Sequence, residues 1–560
     1  MDRIKRLLED GYFPSQLPPC FVTQDLADNH AYFYAYWLNL QPPPKTGQKI
    51  PRAPSAKLET FSVARAGLLR RITSIPNPIA QTYLATHVAD NWGNLLSHYR
   101  QSKLSKSKPR FLKNASRAAN IPSMHALYDN KIATSAGYRF MLRTDISRFF
   151  PTIYTHSVPW ALHGKAVAKK NQKPTTKYFG NLLDLSLRQC QDGQTIGLPI
   201  GPDTSHLIAE AISTAVDIEL KKKLKVVPPG FRYVDDYYLF FPTLPEAEAA
   251  LSAFVKALQE FELQINYEKT KICSVHEITD DYWTHQLRSF QISKSGPKQL
   301  SDINHYFELA KDLAKKNTDE SVMTYALKRA ASQLIKKDNW PAFEAHICHI
   351  AMAHPNTLQF FSRLISTYAT YGYPINKPRL SRVINSIIED HSQLGHHSEV
   401  VWSLWICKEL NLTLSEQNID RIADMHSSPC ALLLMDLQRL GTLSKPPRTT
   451  YWKVHEKKEA LYDDLWLLSY EAGLRRWGNL ADGHIVTDPH FGILHAHNVH
   501  FYDDTAQSKP LFHPRAFALE NHDLDDIFDR DDADEMLEYD DGDGGYEGVV
   551  VIEENDGDIL

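Results

Sequence analysis

Two regimes of hydrophobic spacing divide this chain. Up to about residue 295, short aromatic and β-branched runs are separated by turn residues: Phe140-Met141-Leu142, Phe231 to Val234, Tyr237 to Phe240, and the alternating pair Leu263 and Ile265. Runs of this kind predict strands. Beyond residue 297 apolar residues recur at helical spacing instead, as in Tyr306-Phe307-Leu309-Ala310-Leu313, Phe343-Ile347-Ile350-Ala351 and Val400-Leu404-Cys407-Leu410. Segments of this type, broken by Asn, Pro or Gly and without a strict period, predict paired helices stacked as an irregular solenoid. At the N-terminus a short amphipathic helix is followed by Pro14, Pro18-Pro19 and Pro42-Pro43-Pro44, which predicts an extended arm packed on a body. The expected organisation is an arm at 1–60, an α+β body at 61–295, an all-α helical-repeat domain at 296–510 and a tail at 511–560.

Charge sharpens this division. The net charge of −5 conceals an asymmetry: from Asp523 onward there are 17 acidic residues and one arginine, so the preceding 522 residues carry +11. A basic body suits a polyanion partner, because phosphate contacts supply most non-specific affinity. The acidic tail is predicted to be disordered. No apolar run reaches the roughly 20 residues of a membrane span, and Met1 to Leu8 lacks the apolar core of a signal peptide, so a cytoplasmic, membrane-free protein is expected. Six widely spaced cysteines, with no Cys-x-x-Cys pair, suggest neither a zinc site nor a disulfide framework.

The chemistry concentrates in Tyr233-Val234-Asp235-Asp236, where two adjacent carboxylates interrupt strand-forming residues in the manner of a hairpin tip. Neighbouring buried carboxylates repel unless cations compensate them. Hard oxygen ligands of this kind suit Mg²⁺, with Mn²⁺ as an alternative. A two-ion site needs a further carboxylate from another strand, and Asp145, closing the run Phe140-Met141-Leu142, supplies the candidate. Asp145, Asp235 and Asp236, with Ile146 beside the first, are the predicted metal set.

These residues resemble the motifs of reverse transcriptases. Tyr233-Val234-Asp235-Asp236 looks like the palm signature, Asp145 with Phe149-Phe150 like the first catalytic motif, and Asn266 to Lys271 like the Asn-x-x-Lys-Thr segment that follows the palm hairpin. Tyr154 to Lys165 is similar to the antiphage reverse transcriptases of prokaryotes, the abortive-infection and defence-associated groups. The resemblance implies fingers and palm at 61–295, two Mg²⁺ ions, dNTPs as substrates, a DNA product and an RNA or unconventional template. It also implies synthesis that can start from a protein hydroxyl, an antiviral role, a helical-repeat C-terminal domain and a homo-oligomer as one assembly state.

The same resemblance assigns roles to further residues. Lys269 would meet the triphosphate and the departing pyrophosphate. Arg71, then Arg65, would contact the triphosphate from the fingers, where a planar guanidinium bridges two phosphate oxygens. Phe150 would pack under the sugar and exclude a 2′-hydroxyl. Ile200 and Gly201 lie in the nucleotide-facing turn, and Ile200 stands where these enzymes commonly carry Gln, a departure shared by the defence groups. Asp203-Thr204-Ser205 is expected to cap the helix that follows.

Other features admit different chemistry. Lys103, Lys106, Lys108, Arg110, Lys113 and Arg117 read equally as a flexible loop and as a nucleic-acid backbone contact. Arg421 and His426 have the Arg-x4-His spacing of HEPN ribonucleases. His484, His490, His495, His497 and His500 cluster in sequence, with Leu494 to Asn498 alternating as a strand would. The non-catalytic alternative is a palm used as a nucleic-acid-binding or assembly platform.

Overall fold

The computed structural model describes residues 1–41, 51–67, 69–113, 115–122, 126–277, 282–318 and 321–511. The triple proline at 42–44 and the acidic tail beyond Leu511 lie outside the described residues.

Strands β1 (Glu59–Ala64) and β2 (Arg70–Ile75) form an antiparallel hairpin. Four further strands, β3 (Phe140–Thr144), β4 (Gly230–Tyr233), β5 (Asp236–Phe241) and β6 (Lys271–Ser274), make an antiparallel sheet in the order β4-β5-β3-β6. The pleat sorts β5 by period two. Tyr237, Leu239 and Phe241 enter the main core, whereas Tyr238 and Phe240 join Met141 and Phe231 in a small cluster on the opposite face. Helices Asp203–Leu224 and Leu244–Gln259 pack on one another, and the second lies across β3, β5 and β6. Leu263 and Ile265 do not form the expected strand. Ile265 makes one isolated bridge to Ile146, and regular pairing resumes only at Lys271.

After Ser274 every regular element among the described residues is helical. Helices pack with their second neighbours in two rows. One row runs through 282–289, 322–331, 358–370, 397–410, 428–439 and 466–475, the other through 296–316, 340–353, 377–392 and 416–423. Short connections fold each helix back along its predecessor, so the apolar stripe of each is covered from both sides. Side-chain caps at Asn376, Ser415 and Ser427 start three of these helices. Among the described residues no helix is long and apolar enough to cross a membrane.

The arm is built into this body. Leu7, Leu8 and Tyr12 are fully buried, and the Tyr12 hydroxyl donates to Pro76 O. Val22 N–H donates to Phe501 O at 3.1 Å, Asp503 N–H to Cys20 O at 2.7 Å and Trp37 Nε1 to His490 O at 3.0 Å. A proline-rich segment cannot satisfy its own backbone, so its hydrogen bonds go to neighbours. One continuous core runs from Leu7 to Leu511.

Candidate active site

Asp235 and Asp236 lie at the β4–β5 turn. Tyr233 pairs with Asp236, which leaves Val234 and Asp235 as a two-residue loop. Val234 has φ of +49°, a region that a β-branched residue rarely adopts. Such strain persists only where the surroundings over-determine it, and here they do. Val234 N–H donates to Ser107 Oγ at 2.8 Å, and Val234 O accepts from Arg232 Nη1 at 2.7 Å.

Arg232 is fully buried and pairs with Glu210 at 3.0 Å and Asp217 at 3.1 Å. Burial alone would lower its pKa, but Asp217 and Glu210 drive it well above the ordinary arginine value. Asp217 is also bonded by Tyr237 OH at 2.8 Å and Ser102 Oγ at 2.6 Å, and Glu210 by Ser105 Oγ at 2.7 Å. The strained turn therefore rests on a closed buried polar network. Glu210 and Asp217 lie two helical turns apart on the buried face of their helix, the one signal in the sequence that could have revealed this network.

Part of the basic run belongs to the same construction. Arg232 N–H donates to Leu104 O and Lys106 N–H to Arg232 O, each at 2.8 Å, so residues 104–106 run along the free edge of β4. This stretch is a paired edge, which argues against the flexible loop, one of the two readings its composition allows. Arg117 binds Asp203 through Nε at 3.0 Å and Nη2 at 2.5 Å. Asp203 is consequently the first residue of its helix, held by Arg117 and by Ala119 N–H at 2.9 Å, and does not act as its side-chain cap.

Asp145 follows β3 directly. The β3–β5 register ends at Thr144 opposite Tyr237, and the alternation of Met141 and Arg143 carries Asp145 toward the sheet face that bears Asp236 and Tyr238. Asn266 clamps it, donating N–H to Asp145 O at 2.9 Å, while Ser147 N–H donates to Gln264 O at 2.9 Å. Asn266 thus positions Asp145, a role its place in the Asn-x-x-Lys-Thr segment did not indicate. Lys269 Nζ lies 3.3 Å from Asp145 Oδ2. Ile146 is in the core, so only its backbone carbonyl could serve as a ligand.

The electrostatics test whether these residues fit a cation. Burial, then the charges of Asp236 and Asp145, push Asp235 up to about 7. Asp145 Oδ1 is buried without a hydrogen-bond partner. An orphaned carboxylate oxygen beside a carboxyl group that resists ionisation is an oxygen-rich arrangement that fits Mg²⁺ or Mn²⁺.

The remaining predicted residues lie on three further segments. Phe150 packs half-buried against His206, with ring centroids 5.0 Å apart, and Leu198 N–H donates to Phe150 O at 2.9 Å. Ile200 O accepts Ser74 N–H at 2.7 Å, which ties the turn before helix Asp203–Leu224 to β2. Gly201 has φ of +124°, and a Cβ there would meet Pro14 Cγ at 2.8 Å, so the turn requires glycine. Arg71 is on β2 and Arg65 in the β1–β2 connection, both half-buried.

Arg421 and His426 have separate partners: Arg421 pairs with Glu389 at 3.2 Å, His426 with Asp464 at 3.0 Å and Tyr451 at 2.5 Å. The C-terminal histidines are likewise dispersed. His484 meets Ser469, His490 meets Tyr462, His495 meets Asp482 and His500 meets Glu471. Residues Phe491–Ala496 are helical, not the expected strand.

Comparison with known proteins bears on residues 87–300, which match the family described as Reverse transcriptase (RNA-dependent DNA polymerase). The Retron Ec73 reverse transcriptase of Escherichia coli is 29% identical over 170 residues, covering 29% of this chain and 50% of that protein. This chain thus spans about half the length of the curated relative it matches. Among solved structures, apo telomerase from Candida tropicalis aligns at a TM-score of 0.31 and 10% identity, over 73% of this chain and 75% of that one. Telomerase from Candida albicans with a fragment of telomeric RNA aligns at 0.27 and 12%, over 68% and 66%. Residues 87–300, which hold the carboxylate-bearing sheet, are thus similar to reverse transcriptases, a likeness that supports RNA-directed DNA polymerase activity.

Proposed function

We propose that this protein is a divalent-metal-dependent DNA polymerase of reverse-transcriptase type acting in antiviral defence. The observation that carries this reading is the electrostatic state of the carboxylate centre: the orphaned Asp145 Oδ1 beside an Asp235 whose pKa lies near 7. Asp145, Asp235 and Asp236, with the carbonyl of Ile146, would hold two Mg²⁺ ions. Bound there, the ions would neutralise the triphosphate and lower the pKa of the attacking hydroxyl.

The chain's own groups do the positioning. Arg232, Glu210 and Asp217 fix the turn that presents Asp235, and Asn266 fixes Asp145. Lys269, which pairs with Asp145, would turn to the triphosphate and stabilise the departing pyrophosphate. Arg71, with Arg65 beside it on the fingers hairpin, would hold the triphosphate from the other side. Phe150 would face the sugar, with Ile200 and Gly201 shaping the turn opposite.

Stacking of alternate helices after residue 282 supports a helical-repeat domain, and the retron relative supports a defence role. Priming from a protein hydroxyl, and synthesis on an unconventional template or none, extend the reading through the antiphage groups.

Purified protein incubated with Mg²⁺ and labelled dNTPs, with and without added RNA, tests it. Incorporation that disappears in Asp235→Ala and Asp145→Ala is expected. Product that enters the gel only after protease treatment would mark a protein primer. Wild-type protein that binds RNA but incorporates nothing with any primer or template would make the palm a binding platform. RNA cleavage lost in His426→Ala and kept in Asp235→Ala would move the activity to the helical part.

A further inference from the structure

A cluster in the helical part takes no share in the polymerase chemistry. His391 ends helix Lys377–Ser392, His396 directly precedes helix His397–Leu410, and Glu399 lies in the first turn of that second helix. The linker turns back through Gly395 at φ of +65°. His391 Nδ1 and His396 Nδ1 are 2.8 Å apart, and Glu399 Oε1 lies 3.7 Å from the first and 3.6 Å from the second. A triangle with these edges has a centre about 2.0 Å from each corner, which matches ordinary Zn–N and Zn–O bond lengths of about 2.0–2.2 Å.

Three features favour a shared cation over a hydrogen-bonded cluster. The two Glu–His edges are too long for hydrogen bonds, yet they are nearly equal, so the carboxylate oxygen faces the midpoint of the histidine pair without bonding either ring. A neutral His–His hydrogen bond explains the short edge and neither long one. Glu399 is also held as a ligating carboxylate usually is: fully buried, with Arg70 Nη1 at 2.6 Å on Oε1, and Arg70 Nη2 at 2.8 Å and Ser398 Oγ at 2.7 Å on Oε2. The two histidine side chains are 17% and 22% exposed, which leaves one side open for a water ligand.

We propose that His391, His396 and Glu399 bind one Zn²⁺-class ion, with water in the fourth position. Two imidazoles and one carboxylate suit zinc and its neighbours, not Mg²⁺, so this site differs in chemistry from the palm. Binding requires both rings as the Nε2–H tautomer. The proton shared between the Nδ1 atoms moves to Nε2, and no net proton is released.

The position implies a structural consequence. Arg70 belongs to β2, and the same helix start also receives Ser62 N–H on His397 Nδ1 at 3.2 Å and Ala64 N–H on Ser398 Oγ at 3.1 Å. An ion here would brace the helical part against the fingers hairpin that carries Arg71.

Untagged full-length protein, stripped with chelator and equilibrated with Zn²⁺ in excess Mg²⁺, should retain one more zinc equivalent than His391→Asn/His396→Asn. Co²⁺ should give the intense visible bands of a four-coordinate site in wild type alone. Zn²⁺ should raise the wild-type melting temperature and leave that of the variant unchanged. Equal stoichiometry, or Co²⁺ bands that persist in the variant, would overturn the proposal. Should the variant not fold, wild type decides: Zn²⁺ must protect His391 and His396 from acylation by diethylpyrocarbonate, read by mass spectrometry, and unaltered labelling refutes the site. Each readout is independent of nucleotide incorporation, so failure here leaves the polymerase reading untouched.

Discussion

Asp235→Asn isolates the electrostatic cost of the carboxylate centre. In the folded protein Asp235 titrates at about 7, driven there by burial and then by Asp236 and Asp145, against the ordinary value of 3.8. Between these values the folded protein holds a proton that the unfolded chain has released, so metal-free stability must fall as pH rises from about 4 to about 7. The gap between 3.8 and about 7 corresponds to roughly 4 kcal/mol once both states are ionised, and asparagine keeps the shape while removing the charge. Asp235→Asn should therefore be more stable than wild type by up to about 4 kcal/mol at pH 8 and indistinguishable from it near pH 4. With an unfolding entropy near 2 cal/mol/K per residue and one core spanning the described chain, the difference is about 4 °C in melting temperature.

Thermal melts in chelator at pH 5 and pH 8 measure it, and Mg²⁺ adds a second arm. The ion should stabilise wild type strongly and Asp235→Asn weakly, and below pH 7 its binding to wild type should release a proton. The reasoning fails if Asp235→Asn gains nothing at pH 8 in chelator, or if Mg²⁺ raises both proteins equally.

Two further outcomes follow from the same packing. Arg232→Met leaves Glu210 and Asp217 buried without their cation and should cost about 3–5 kcal/mol, read by chemical denaturation. An unchanged midpoint would mean that the network does not support the turn. Gly201→Ala forces a side chain into positive φ against Pro14 and should cost about 1–3 kcal/mol, with nucleotide incorporation falling as the turn moves; retention of both stability and rate would refute the tight-turn reading.

The sequence by itself determined the palm strands, the helices after residue 297 and the residues with unusual chemistry. Short continuous apolar and aromatic runs marked β3, β4 and β5, because a sheet buried on both faces needs such side chains at successive positions. Period 3.6 marked the helices after residue 297, because each must hide a stripe. The paired carboxylates stood out because few structures tolerate two adjacent charges between buried strands.

Three-dimensional packing alone decided the rest. That the stretch from Leu263 to Asn266 would not form a strand, and that Gln264 and Asn266 would instead hold the backbone on either side of Ile146, depended on Ile146 lying opposite Ile265. That the lysine-rich run would pair along β4 depended on a free sheet edge, and that Arg232 would be buried depended on Glu210 and Asp217 waiting beneath it. His391, His396 and Glu399 looked unremarkable in a histidine-rich chain until a helix end, a glycine turn and Arg70 from a distant strand brought them around one point. Local spacing encodes which face a residue occupies, but a charge acquires its partner only when distant segments fold together, and that partner sets its pKa and its use.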